Sequence, residues 1–374
     1  MWFNYSLIMR EDLVPTDPQF WNQLTPIYCD TVRIVGIFLC IASVIGIVLN
    51  GSLVYSFIRY KALRTSPNMH VMFISIVGLL ASCTILPSTG TSSVYCKWLY
   101  KRAGCQLSAV VAFFYGCSSS YLLCVVSLSR CYIIMRPFAA NKVTVRKSIT
   151  ISCFAMFIAF IWSLLPVFGW NEYVMEGVRT SCCINWYDRR LSYISFTFFL
   201  FFIVYFIPLV ILIATNTVTL IGFKQMREKI KRGMHTIFTR KRIEMEQRIV
   251  KSIIITTLGF IFTWTPYSVA LFISAFRGKY YAMPPLITFI CACFAKSSVI
   301  WIPLLFIGTS TQFKLRFVNA NRLNYRTRSD RVAGKIVHTF ALVRNNNSSI
   351  TIRTLRTVPD KKKHSTIRTN IYSN

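Results

Sequence analysis

Residues 287–308 read ITFICACFAKSSVIWIPLLFIG, twenty-two residues with a single charge, Lys296, near the middle. A stretch of about 20 apolar residues is what a 30 Å hydrocarbon core demands of a helix. A lysine at that depth costs roughly 2.5–3.5 kcal/mol on insertion scales, so it calls for a functional reading before a structural one. Snorkelling gives no escape, because at 1.5 Å per residue the interface lies about 15 Å away along the helix, beyond the reach of a four-carbon stem. A neutral amine in apolar surroundings is nucleophilic and suited to Schiff-base formation with a carbonyl compound. Whatever the protein binds, Lys296 is expected to touch it.

Working outward, the same kind of stretch recurs. The 374-residue chain is 54% hydrophobic and 15% charged, with a mean hydropathy of +0.49, which places it in the membrane class. Seven segments reach spanning length, near 34–58, 69–93, 105–129, 148–168, 191–222, 249–276 and 283–308. They must be helices, because lipid offers the backbone no other hydrogen-bond partner. The expected fold is an all-α, seven-transmembrane helix bundle over 34–309. With the N-terminus outside, the inner loops and tail hold 32 of the 43 Lys and Arg and the outer segments 10. The positive-inside rule therefore puts the C-terminus in the cytoplasm. The net charge of +31 is largely this asymmetry, and it suits anionic lipid head groups. Nucleic-acid binding is not expected, since no soluble domain exists to host it.

The leader, 1–33, shows no signal-peptide pattern, so the first span is expected to direct insertion. It carries the glycosylation sequon Asn4-Tyr5-Ser6 on the outer side. A second sequon at Asn347 falls on the cytoplasmic side and is expected to be silent.

All twelve acids lie outside the seven apolar segments, and none occurs between Thr31 and Asn171. Ion pumps and proton-driven carriers build relays from intramembrane carboxylates, so transport is excluded. A counter-ion for a charged Lys296 must come from an outer loop folded onto the bundle. Glu176 stands in such a loop, between spans four and five. Cys105 opens span three on the oxidising side, and a disulfide from it to Cys182 or Cys183 would hold Glu176 over the mouth. The four histidines are dispersed and no cysteines have metal-site spacing, so no metal is expected.

Over roughly 46–317 the chain resembles the opsins, retinal-binding members of the rhodopsin-like G-protein-coupled receptors. General receptor marks are Asn50-Gly51, Leu63-Arg64-Thr65, Cys105, Arg130 with Arg136-Pro137, Trp162, Pro208, Trp264-Thr265-Pro266-Tyr267 and Pro303. Opsin marks are the Glu176-Gly177 loop and Phe294-Ala295-Lys296, seven residues before Pro303.

The resemblance implies that Lys296 carries 11-cis-retinal as a Schiff base, with Glu176 as counter-ion, since Ser108 stands where vertebrate visual opsins place a glutamate. It implies a polyene pocket lined by Phe113, Gly116, Phe201, Phe260, Trp264, Tyr267 and Ala292, where aromatic walls suit a rigid apolar ligand. It favours Cys182 as the partner of Cys105. It also implies a plasma-membrane or photoreceptor-membrane location and a heterotrimeric G protein engaged by Arg130 and the basic loop 223–251, with Glu246 available to pair with Arg130.

The inner half departs from the pattern. The Asp/Glu-Arg-Tyr motif reads Ser129-Arg130-Cys131, Gly78 replaces an aspartate, Asn216 a tyrosine, and Asn-Pro-x-x-Tyr becomes Ile302-Pro303-Leu304-Leu305-Phe306. Three outputs stay open: a light-activated receptor, a retinochrome-like photoisomerase, and a chemoreceptor whose Lys296 holds no retinal. Residues 310–320 are expected to form an amphipathic surface helix, with Phe313 and Phe317 toward lipid. Residues 321–374 read as a basic disordered tail, with Ser348, Ser349, Thr351, Thr354 and Thr357 as candidate sites for a receptor kinase and arrestin. No cysteine follows Cys293 to carry palmitate.

Overall fold

The computed structural model describes residues 17–136, 143–186, 188–231, 237–276 and 283–309, with two short strands further on. Seven helices are long and apolar enough to cross a membrane: Cys29–Arg59, Ser66–Val94, Lys101–Met135, Val145–Leu164, Leu191–Glu228, Val250–Phe276 and Pro285–Gly308. We call them spans one to seven. Span three is the axis. It packs against spans two, four, five and six, and 67% of its most apolar window is buried, against 28% for span four. The exposed faces carry Ile34, Ile41, Val44 and Val48 on span one and Phe154 and Phe157 on span four, the apolar surface that lipid covers.

The helices outrun the apolar stretches on the cytoplasmic side. Span three continues to Met135, so Arg130 lies within it rather than on a loop. The helix of span five runs on to Lys231, and that of span six starts at Ile237, so most of 223–251 is helical. Hydropathy marks where hydrocarbon ends, whereas a helix ends where its backbone finds another partner. Span four closes earlier, at Leu164, on a run of turns before Gly169.

Spans five and seven are interrupted near prolines, whereas spans two and six carry theirs inside a continuous helix. Pro303 has no N–H for the carbonyl of Val299, and Asn50 Nδ2 of span one fills that place at 3.0 Å. Pro208 similarly frees the carbonyl of Val204, which accepts from Ser120 Oγ at 3.3 Å, beside a π turn over Phe201–Phe206. In span seven the helix Pro285–Lys296 stops at Ser297 and resumes as Ser298–Thr309. The break falls immediately after Lys296. Span six holds Pro266 within its helix.

The unit Leu315–Asn374 contributes one described feature, the antiparallel pair Leu342–Val343 with Thr351–Ile352. It lies within the segment read as disordered. The helix expected over 310–320, and the sequon at Asn4, lie outside the described residues.

Candidate ligand-binding site

The link between spans four and five folds into a hairpin, β1 (Tyr173–Met175) antiparallel to β2 (Cys182–Ile184), with Met175 opposite Cys182. Three ties hold it down. Cys182 is disulfide-bonded to Cys105 at the top of span three. The Tyr173 hydroxyl donates to the Ser163 carbonyl of span four at 2.8 Å, and Ser93 Oγ of span two donates to Thr180 Oγ1 at 3.0 Å. The strands are joined by a turn in which Glu176 N–H donates to Ser181 O at 2.8 Å and Arg179 N–H to Glu176 O at 2.6 Å. A Cβ on Gly177 would lie 3.1 Å from Pro285 Cβ, tighter than ordinary contact. Glycine therefore lets the turn press against the start of span seven.

That contact brings the two residues singled out by charge together. Lys296 Nζ lies 4.0 Å from Glu176 Oε2, and both side chains are inside, 14% and 4% exposed. Ser181 Oγ donates to the same carboxylate oxygen. Glu176 Oε1 is buried and makes no hydrogen bond to the described residues, which leaves one acceptor unused. Removing either partner of a buried ion pair typically costs about 3–5 kcal/mol, because the other charge is left uncompensated. The pair is therefore self-enforcing.

Lys296 ends in a largely apolar cavity between spans three, five, six and seven, with about 150 Å³ open to the centre of a water-sized sphere. Phe113, Gly116, Phe201, Phe260, Trp264, Tyr267 and Ala292 all line it. Trp264 stacks at a tilt on Phe260, with ring centroids 5.6 Å apart. A Cβ on Gly116 would sit 2.7 Å from Trp264 Cη2, so the indole occupies the space that glycine leaves. Phe201 sits edge-on to Phe272 at 5.2 Å.

Three further groups at the site were not singled out by the sequence reading, Trp186, Tyr115 and Ser298. Trp186, with Cys183, completes the wall under the hairpin. Tyr115 and Ser298 meet at its base: Ser298 Oγ accepts from Trp264 Nε1 at 3.1 Å and is 2.9 Å from the Tyr115 hydroxyl. Ser298 is two residues beyond Lys296, which was the available signal. Tyr115 gave none beyond its place beside Gly116. A second disulfide, Cys29–Cys96, was also missed, although both cysteines lie in outer segments.

At the other end of span three, Arg130 is buried and its Nη2 donates to Asn68 Oδ1 at 3.4 Å. Neighbouring Ser129 Oγ is 3.3 Å from His70 Nε2, and His70 Nδ1 is 2.6 Å from Ser152 Oγ, joining spans two, three and four. The backbone of Glu246 is helical, but its side chain, and hence any pairing with Arg130, lies outside the described residues.

A family model described as the 7 transmembrane receptor (rhodopsin family) matches residues 49–306. Human melanopsin is 29% identical over 290 residues, covering 75% of this chain and 60% of its own length. Melanopsin of Branchiostoma belcheri is 30% identical over 275 residues, 71% of this chain but 39% of that protein. This chain thus spans about half the length of the melanopsins it matches. Opsin Rh1 of Calliphora vicina is 28% identical over 295 residues, 77% and 79% of the two chains. The crystal structure of squid rhodopsin superposes with a TM-score of 0.73 over 82% of this chain and 90% of that one, at 23% identity, so the fold is shared. With seven spans in this order and a family match over most of its length, the chain belongs to the rhodopsin family of seven-transmembrane receptors.

Proposed function

We propose that this receptor is an opsin, a light sensor that binds retinal covalently at Lys296 as a Schiff base and signals to a heterotrimeric G protein. The observation that carries the reading is the Lys296–Glu176 pair at 4.0 Å on the wall of an aromatic cavity. Its weight comes from the census: no Asp or Glu occurs over 31–171, 189–227 or 247–329. The similarity to melanopsins and to opsin Rh1 supports the same ligand class.

The residues present fit the ligand. The walls are apolar and aromatic, the amine ends inside, and Glu176 Oε1 offers a buried acceptor with no hydrogen-bond partner among the described residues. Retinal, when bound, supplies the aldehyde for the linkage, visible absorption and a light-driven change of shape. The chain supplies the rest. Lys296 would provide the amine, and Glu176 would supply the balancing negative charge beside it. Ser181 holds the carboxylate in place, leaving its second oxygen free. Trp264, wedged against Gly116 and fixed through Ser298, is the side chain that registers a change of shape in the cavity. Span six carries Trp264 and Pro266 and continues into the cytoplasmic helix from Ile237, which gives movement at the cavity a route to the basic inner surface.

Reconstitution with 11-cis-retinal tests the proposal. We expect a visible absorption band that is abolished in Lys296→Ala, and light-dependent nucleotide exchange on a G protein. A wild-type protein without the band, or a variant that keeps it, overturns the opsin reading. Stereospecific production of 11-cis-retinal without exchange would replace the receptor output by photoisomerisation, an outcome to which the altered Ser129-Arg130-Cys131 motif gives a motive.

A further inference from the structure

The outer rim carries a covalent bond that the reading above does not use. Cys29, the first residue of span one, is bonded to Cys96 in the short link between spans two and three. Just before it, residues 17–28 run across the mouth of the bundle. Thr25 N–H donates to Cys96 O at 2.8 Å, Leu24 and Lys97 form an isolated antiparallel bridge, and Ile27 packs against the core cluster that contains Val178. Further upstream, Asp17 Oδ1 caps the short helix Pro18–Asn22 by accepting from Gln19 N–H at 2.8 Å. That helix delivers Trp21.

Trp21 is buried in one cluster with Trp98, Ala109 and the Cys105–Cys182 bridge. Ala109 and Cys182 are also walls of the Lys296 cavity, so Trp21 backs that wall from outside. The segment also reaches the counter-ion turn. Arg179 Nη1 donates to Leu24 O at 3.4 Å, and the Arg179 amide is the group that closes the turn on Glu176 O.

We infer that residues 17–28 form a strap, locked by Cys29–Cys96, that seals the outer wall of the Lys296 cavity and positions the Glu176 turn. For its ligand the inference rests on the opsin reading; for the strap itself it does not. A surface segment held by a few backbone hydrogen bonds and two packed aromatic side chains, Phe20 and Trp21, opens by local unfolding at small free-energy cost. A covalent tie at its base restricts the open states more than the closed one. What the strap protects is electrostatic, since water admitted beside a buried charge pair raises the local dielectric and weakens the attraction. It also keeps nucleophiles from the linkage at Lys296.

The full chain in lipid nanodiscs, loaded with 11-cis-retinal and kept in the dark, is challenged with hydroxylamine, which takes retinal away as the oxime and returns the lysine amine. In the double variant Cys29→Ser/Cys96→Ser we expect the visible band to decay about tenfold faster than in wild type, as an opened segment would allow. Trp21→Ala, which keeps both disulfides, is expected to accelerate decay in the same direction, and so guards against a double variant that fails to fold. Decay at the wild-type rate in either loaded variant overturns the strap. If the wild type forms no visible band, the opsin reading is what fails. The strap is then read in the ligand-free receptor, from methylation of Lys296 by formaldehyde and cyanoborohydride measured by mass spectrometry. Faster methylation in the variants supports it and equal rates overturn it.

Discussion

Above the level of Trp264 the spans are joined by two disulfides, a pinned hairpin and a buried ion pair. Below it, spans two, three and four are joined by hydrogen bonds alone, between neutral groups from His70 to Ser129 and Ser152 and from Ser66 to Ser148, and from the charged Arg130 to Asn68. The two halves are built from bonds of different strength. A neutral hydrogen bond contributes about 0.5–1.5 kcal/mol net, and one to a charged group about 1.5–3, whereas losing a native disulfide can cost about 2–5 kcal/mol. A molecule assembled this way holds its ligand end still and lets its inner end rearrange. That is the division of labour a receptor needs, and it locates the divergence from the family pattern in the half where small energies decide the state.

The largest expected effect strikes the rigid half. Glu176→Gln removes the negative partner of Lys296, and in the retinal-loaded protein the visible band should move to the near ultraviolet at neutral pH; an unmoved band would mean that another group balances the lysine. Next comes the cavity base, where Gly116→Ala forces a methyl group to 2.7 Å from the Trp264 ring. Overpacking of this kind costs about 1–3 kcal/mol, to be read as a lower melting temperature and weaker retinal loading, and normal loading would show that the base is as yielding as the inner end.

The inner half should respond more mildly and in another observable. His70→Ala leaves the buried Ser152 hydroxyl, and the half-buried one of Ser129, short of a partner at about 1–3 kcal/mol for the buried group, and should raise nucleotide exchange in the dark several-fold while leaving the absorption band in place. Unchanged basal exchange would show that the histidine bridge does not bias the receptor's state. The smallest expected change is a gain: Ser129→Asp puts an acid beside Arg130 and should lower basal exchange by a factor of about two to five, the range of a partly solvated ion pair worth up to about 1 kcal/mol.

The seven spans were legible because length and apolarity alone decide them, and the sidedness because basic residues are counted rather than placed. Lys296 and Glu176 were legible for a related reason. The acid census confines a partner for Lys296 to the loops, where Glu172, Glu176 and Asp188 share the one between spans four and five, and the structure sets Glu176 4.0 Å from the lysine. What stayed hidden depends on which faces meet. Nothing in the order of residues says that His70, on span two, lies between Ser129 and Ser152, or that Asn50 reaches the carbonyl freed by Pro303. Helix ends beyond the hydrocarbon were misplaced because the basic flanks of spans three, five and six continue the helix without continuing the hydropathy.

The adjacent thiols Cys182 and Cys183 turn an ordinary bond into a matter of parity. Side chains on a strand alternate between faces, so a one-residue slip turns every one of them over. With Cys182 bonded to Cys105, Met175 stands opposite it and Glu176 follows inward toward Lys296. Were Cys183 to take that bond, the hairpin would be drawn toward the opposite parity and the carboxylate away from the lysine. During biogenesis the chain therefore sets which way the Glu176 turn faces when it chooses between two neighbouring sulfur atoms. A mispaired molecule could keep all seven helices, and its fault would surface only as a lysine without a carboxylate beside it.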